Sequence, residues 1–80
     1  MKIKDAIVKR FEQLCAEKEI KYTQLATNAG VTPSTIYSMR DPKRRDVSIN
    51  TVKKLCDGLT ISIIDFFDDD LFRNITQEIE

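Results

Sequence analysis

Between Thr23 and Arg45 the chain carries a run of hydroxyls followed by a run of cations, residue types suited to gripping and reading a polyanion. If the segment is helical, successive residues turn by ~100°, which gathers Ser34, Tyr37 and Ser38 into one exposed sector. Pro33 stands at the leading edge of that sector, Thr35 beside it and Asp41 at its end. Hydroxyls donate to or accept from base edges, and the Pro33 ring or the Thr35 methyl can touch a thymine methyl. Arg40, Lys43, Arg44 and Arg45 follow directly and suit backbone phosphates. Thr23 and Thr32 stand where helices would begin, and the free N–H groups of a helix start also face phosphates. The sector lacks the Gln, Asn, Arg or Lys that make bidentate base contacts. Its expected readout is therefore single hydrogen bonds, with water and duplex shape contributing.

Catalysis has little to work with. There is no histidine, which removes the usual general base and the commonest metal ligand. No glycine-rich phosphate loop, dinucleotide fingerprint or paired-cysteine metal pattern occurs. Asp68, Asp69 and Asp70 lack the spacing of a calcium loop and read as a solvated helix stop. Cys15 and Cys56 fall on apolar faces and read as small core residues. The chain is expected to be no enzyme and to need neither cofactor nor metal.

Two helical patterns must position the hydroxyl sector. Tyr22 to Ala29 places Leu25, Ala26 and Ala29 on one face, and Pro33 to Arg40 places Ile36 and Met39 on another, with Val31 packing under both at the bend. Gly30 stands where the chain turns sharply, since glycine accepts φ > 0 without a Cβ clash. Thr32 is placed to cap the next helix and Pro33 to open it, because its missing N–H is not needed at the first position. Helix, tight turn, helix is a helix-turn-helix, whose second helix enters the major groove when the motif binds DNA.

The stretch QLATNAGVTPSTIYSM resembles the helix-turn-helix of the lambda/Cro-type repressor family, also called the xenobiotic-response-element family. SINTVKKLCDGLTISIIDFF resembles the helices that follow it, so the resemblance covers about residues 3–67. It implies a lambda-repressor-like, all-α fold with helices 2 and 3 as the motif. It also implies a small transcriptional regulator that represses by binding a double-stranded DNA operator as a homodimer. The positions matching Ser34, Tyr37 and Ser38 would point into the major groove. The family usually has glycine where Thr60 stands, which marks that helix exit as less relaxed.

Around the motif, Ile3, Ile7, Phe11, Leu14 and Cys15 predict a first helix over 3–18, with Lys2, Lys4, Lys9, Arg10 and Lys18 on its solvated face. Ile20 reads as a core anchor in the link that follows. Ser48 reads as the N-cap of a fourth helix, with Ile49, Val52, Leu55, Cys56 and Leu59 as its buried stripe. Ser62 with Asp65 is a capping-box-like start for a fifth helix over 63–67. The predicted bundle has five helices, or six if Leu71, Phe72, Ile75 and Ile79 form a last amphipathic one over 70–79. The predicted core is Ile7, Phe11, Leu14, Leu25, Ala26, Val31, Ile36, Val52, Leu55, Leu59, Ile64 and Phe67.

Eighty residues allow one small domain, divided here into a helix-turn-helix body over 1–67 and an acidic extension over 68–80. The formal net charge is zero, but residues 1–56 hold twelve of the thirteen Lys and Arg and only six of the thirteen Asp and Glu. A nucleic-acid face therefore belongs to the body, with the tail directed away from it. The N-terminus has no apolar core of a secretory signal, and no stretch is long and apolar enough to cross a membrane, so a cytoplasmic protein without membrane partners is expected. The alternative reading is a protein-interaction module of antitoxin or antirepressor type on the same fold, using the apolar residues of the tail.

Overall fold

The periodicities resolve into five helices in a computed structural model that describes residues 1–44 and 46–79. They are α1 (Ile3–Lys18), α2 (Tyr22–Ala29), α3 (Pro33–Arg40), α4 (Ile49–Gly58) and α5 (Ile63–Phe67), followed by a 3₁₀ turn at Asp70–Phe72. Each helix sends a short apolar stripe into one shared core. Ile7, Phe11 and Leu14 come from α1, Leu25 and Ala26 from α2, Ile36 and Met39 from α3, and Val52, Leu55 and Cys56 from α4. Leu59 and Phe66 close it, with the Phe66 and Phe11 ring centroids 4.5 Å apart. Cys15 and Cys56 are free and buried, and burial pushes the Cys56 thiol up to about 11, so both pack as protonated thiols.

Three of the helices end in the same way. After α1, Glu19 N–H donates to Ala16 O (3.2 Å) and Ile20 N–H to Cys15 O (3.0 Å). After α2, Gly30 donates to Thr27 O (3.2 Å) and Val31 to Ala26 O (3.0 Å). After α4, Thr60 donates to Asp57 O (3.1 Å) and Ile61 to Cys56 O (3.0 Å). This pair of bonds is the Schellman motif, in which one residue turns left-handed and the next, apolar, folds back onto the helix. Glu19, Gly30 and Thr60 have φ of 55°, 70° and 59°, and Ile20, Val31 and Ile61 pack half-buried against the core. Thr60 thus takes a conformation that favours glycine, the physical content of the unrelaxed exit expected there.

Several expectations need correction. Ile64 is 77% exposed, and Phe66 is buried in its place. In a helix that begins at Ile63, residues 63, 66 and 67 share a face while Ile64 lies ~100° away, and burying the larger aromatic removes more apolar surface from water. Val31 and Phe67 are half-buried at the edge of the core. Ile49 is 59% exposed, because the first residue of α4 overhangs the core that Val52 and Leu55 fill.

Two cations of α1 assigned to its solvated face turn inward. Lys4 is buried and its Nζ donates to Asp41 O at 2.7 Å, placing a charge on the carbonyl end of α3. Arg10 donates from Nε to Phe66 O (2.8 Å), from Nη2 to Asp65 O (3.0 Å) and from Nη1 to Asp69 Oδ2 (3.2 Å). It therefore adds donors to the carbonyls at the end of α5, where Asp65 O also accepts from Asp68 N–H (3.3 Å).

The tail also differs. Over residues 70–79 the only helical structure is the 3₁₀ turn, opened by Asp69 Oδ1 accepting from Leu71 N–H at 3.0 Å. Phe72 packs on Phe67, with ring centroids 4.8 Å apart, while Ile75 and Ile79 stay exposed. The chain then returns to the N-terminus rather than pointing away from the body. Thr76 N–H donates to Met1 O (2.7 Å), and Glu78 Oε2 accepts from Ile3 N–H (3.2 Å). The Thr76 N–H that a last helix would have used is engaged there instead.

Candidate nucleic-acid interface

The starts of the helices fall into two kinds. Ser48 Oγ accepts from Thr51 N–H and Ser62 Oγ from Asp65 N–H, both at 3.0 Å, so α4 and α5 are capped by their own serines as expected. The carboxylate of Glu78 takes the first N–H of α1. By contrast, α2 and α3 begin at Lys21 and Thr32 with no side-chain cap and no acidic residue in the first turn. Among the described residues no side chain accepts from the leading N–H groups of α2 or from Ser34 N–H of α3, whose Pro33 has no N–H and whose Thr35 N–H donates to Thr32 O (3.0 Å). Thr32 was expected to cap α3. Its Oγ1 is instead shared with Ser34 Oγ (2.8 Å) and Thr35 Oγ1 (3.2 Å), a hydroxyl cluster that turns away from the backbone N–H groups.

The open helix starts flank the α3 surface. Pro33, Ser34 and Tyr37 are exposed, Tyr37 at 64%, while Thr35 and Ser38 are half-buried. Thr35 and Ser38 also border the groove between α3 and α4, together with Arg44, Val47 and Thr51. Ile36 and Met39 anchor the opposite face of α3 at 2% and 3% exposure, so the rotation of this short helix is fixed by the core. Thr23 is exposed in the first turn of α2. Gly30, at φ +70°, sets the angle between the two helices within a three-residue connection.

The cations lie at the other end of α3. Arg40, Lys43 and Arg44 are exposed, and Arg45 lies outside the described residues. The turn that carries them is held by Asp41, whose Oδ1 accepts from Lys43 N–H (2.9 Å) and whose carbonyl accepts from Arg44 N–H (3.0 Å) and from Lys4. Asp41 thus belongs to the scaffold of the loop rather than to a reading face. Arg44 also borders a cleft shared with Lys2, Pro42 and Glu78, so the returning tail brings a carboxylate beside the basic loop.

Sequence reasoning missed two supports of this surface. Lys4 has a visible signal, since it stands three before Ile7 and seven before Phe11, on the buried stripe itself. The other is a stack between the first residue of α2 and the last of α3. The Arg40 guanidinium carbon lies 4.4 Å from the centroid of the Tyr22 ring.

The comparisons with known proteins agree with this geometry. A family model described as the Cro/C1-type HTH DNA-binding domain matches residues 10–70. Among solved structures, the chain is similar to the crystal structure of prophage Lp1 protein 11, with 28% identity and a TM-score of 0.82 over 94% of this chain and 100% of that one. No curated protein matches.

Proposed function

The chain belongs to the Cro/C1-type helix-turn-helix DNA-binding domain family, and from that premise we propose a transcriptional repressor that occupies a double-stranded operator. The observation that carries this reading is the difference between helix starts. Among the described residues, α2 and α3, the two helices of the motif, have N-termini with no side-chain cap and no acidic residue in the first turn, whereas the other three starts are closed by Ser48, Ser62 and Glu78. An uncapped, positively polarised helix end next to exposed hydroxyls suits a phosphate backbone with a groove beside it.

In this arrangement Ser34, Tyr37 and Ser38 face base edges, with Pro33 and Thr35 in apolar contact. Thr23, Thr32, Arg40, Lys43 and Arg44 face phosphates, and Arg45 extends that set. Two copies on a symmetric site bring enough base pairs under contact for a regulator this small, acting in the cytoplasm. The alternative, a partner-binding module, relied on one continuous apolar face of the tail. That support is weakened by Phe72 turning onto Phe67 while Ile75 and Ile79 remain outside.

Selection of bound duplexes from a random pool tests the proposal. A palindrome with half-sites one helical turn apart is the expected outcome, and no enrichment would favour the partner module. On the selected site, Arg44→Ala should weaken binding to every sequence and flatten the salt slope by about one. Tyr37→Ala should instead relax preference at one position, by ~1 kcal/mol, the low end for a base contact. Were Arg44→Ala to change the motif and Tyr37→Ala to leave it intact, the loop and not α3 would be the reading element.

A further inference from the structure

Arg40 and Tyr22 stand at opposite ends of the helix-turn-helix, the last residue of α3 and the first of α2. The Tyr22 ring is fixed in place, half-buried and packed against the core. Its hydroxyl is buried with no hydrogen-bond partner among the described residues, while its ring packs on the core. Burial and the nearby Glu12 push that phenol up to about 12, which keeps it neutral beneath the cation. Among the described residues no carboxylate forms an ion pair with Arg40, and its guanidinium donates no hydrogen bond. The ring face lies 4.4 Å from its guanidinium carbon. A guanidinium lying on an aromatic face keeps its N–H groups along its edges, where they can still fork onto an oxyanion.

We infer that Tyr22 is a positioning residue for DNA binding, its ring holding the Arg40 guanidinium in the orientation that meets a backbone phosphate. An arginine side chain loses much rotamer freedom when it is immobilised, and the stack removes part of that loss before DNA arrives. The arrangement also joins the start of α2 to the end of α3, so the cation is held in register with the motif. This inference rests on Arg40 being a phosphate contact, and the two ideas separate experimentally.

The test uses the full chain and a mixed-sequence duplex of about 20 base pairs, long enough to cover a half-site pair one turn apart. Affinity is measured across a salt series for the wild type, Tyr22→Phe, Tyr22→Leu, Arg40→Ala and the Tyr22→Leu/Arg40→Ala double variant, with a melting curve for each. Arg40→Ala should weaken binding about tenfold and lower the salt slope by about one. Tyr22→Leu should weaken binding about threefold with the cation still present, and Tyr22→Phe, which keeps the ring, should bind as the wild type does. In the Arg40→Ala background, Tyr22→Leu should cost no further affinity, although any effect on melting would persist there. Equal losses from Tyr22→Leu with and without Arg40 would overturn the positioning role, as would no loss at all, and either leaves the phosphate contact standing. If Arg40→Ala binds like the wild type, both ideas fall. Absence of duplex binding by the wild type overturns them together with the functional proposal.

Discussion

The two glycines of the chain close two joints of the fold for unrelated reasons. At the α2–α3 joint Gly30 is itself left-handed, at φ +70°, and a Cβ added there would meet nothing within 4 Å. At the α4–α5 joint Gly58 is still helical, yet a Cβ there would lie 2.9 Å from Ala29 N and 3.0 Å from Ala29 Cα. The left-handed position of that second joint falls on Thr60 instead. One glycine answers to its own backbone and the other to a neighbouring helix. Both act on the end of α2: Gly58 lets α4 lie against Ala29, and Gly30 turns the chain immediately after it. The angle of the helix-turn-helix therefore depends on a local conformation and on a contact made 28 residues further along the chain.

The largest expected effect is at the steric joint. Gly58→Val should destabilise by ~3 kcal/mol, read from the urea midpoint, because backbone atoms of Ala29 cannot rotate out of the way. A midpoint within error of the wild type would mean that α2 and α4 can separate freely. Next comes Gly30→Val, with a loss of ~2 kcal/mol from forcing a β-branched residue into a left-handed turn. An unchanged melting temperature would show that this turn does not need positive φ.

Asparagine sharpens the contrast. It tolerates the left-handed region, so Gly30→Asn should cost under ~1 kcal/mol. Gly58→Asn should cost clearly more, since a Cβ of any residue meets Ala29. The reverse order of the two variants would exchange the reasons assigned to the two glycines. The smallest effect has the opposite sign. Thr60→Gly should stabilise by ~0.5 kcal/mol, the relief of left-handed strain exceeding the greater freedom of glycine in the unfolded chain. A loss of stability would reveal that the exposed Thr60 side chain contributes something the backbone argument omits.

The same division runs through the candidate interface. Helix bounds, the Gly30 turn, the caps at Ser48 and Ser62, and the placement of Ser34 and Tyr37 outside Ile36 and Met39 were all legible, because each follows from neighbours within a turn or two. Phe66 and Ile64 were exchanged because a five-residue helix has too few turns for its period to identify the inward face. The burial of Lys4 was readable from its place on the apolar stripe, but the acceptors of Lys4 and Arg10 were hidden since they lie 37 and 56 residues away. The open starts of α2 and α3 were half-visible: the absence of acidic residues there can be read from sequence, but the diversion of Thr32 Oγ1 to Ser34 and Thr35 cannot.

What the sequence by itself determined was local: where the helices begin and end, which stripes are apolar, and that the chain turns left-handed at Gly30. These are set by dihedral preferences and hydrophobic spacing, which act over a few residues. Tertiary structure alone decided which of two adjacent isoleucines and phenylalanines entered the core. It also decided that Gly58 serves a contact, that the tail returns to cap α1, and that the Tyr22 ring lies under Arg40. Those outcomes depend on surfaces far apart in the chain meeting at van der Waals and hydrogen-bond distances, and no local preference encodes the meeting.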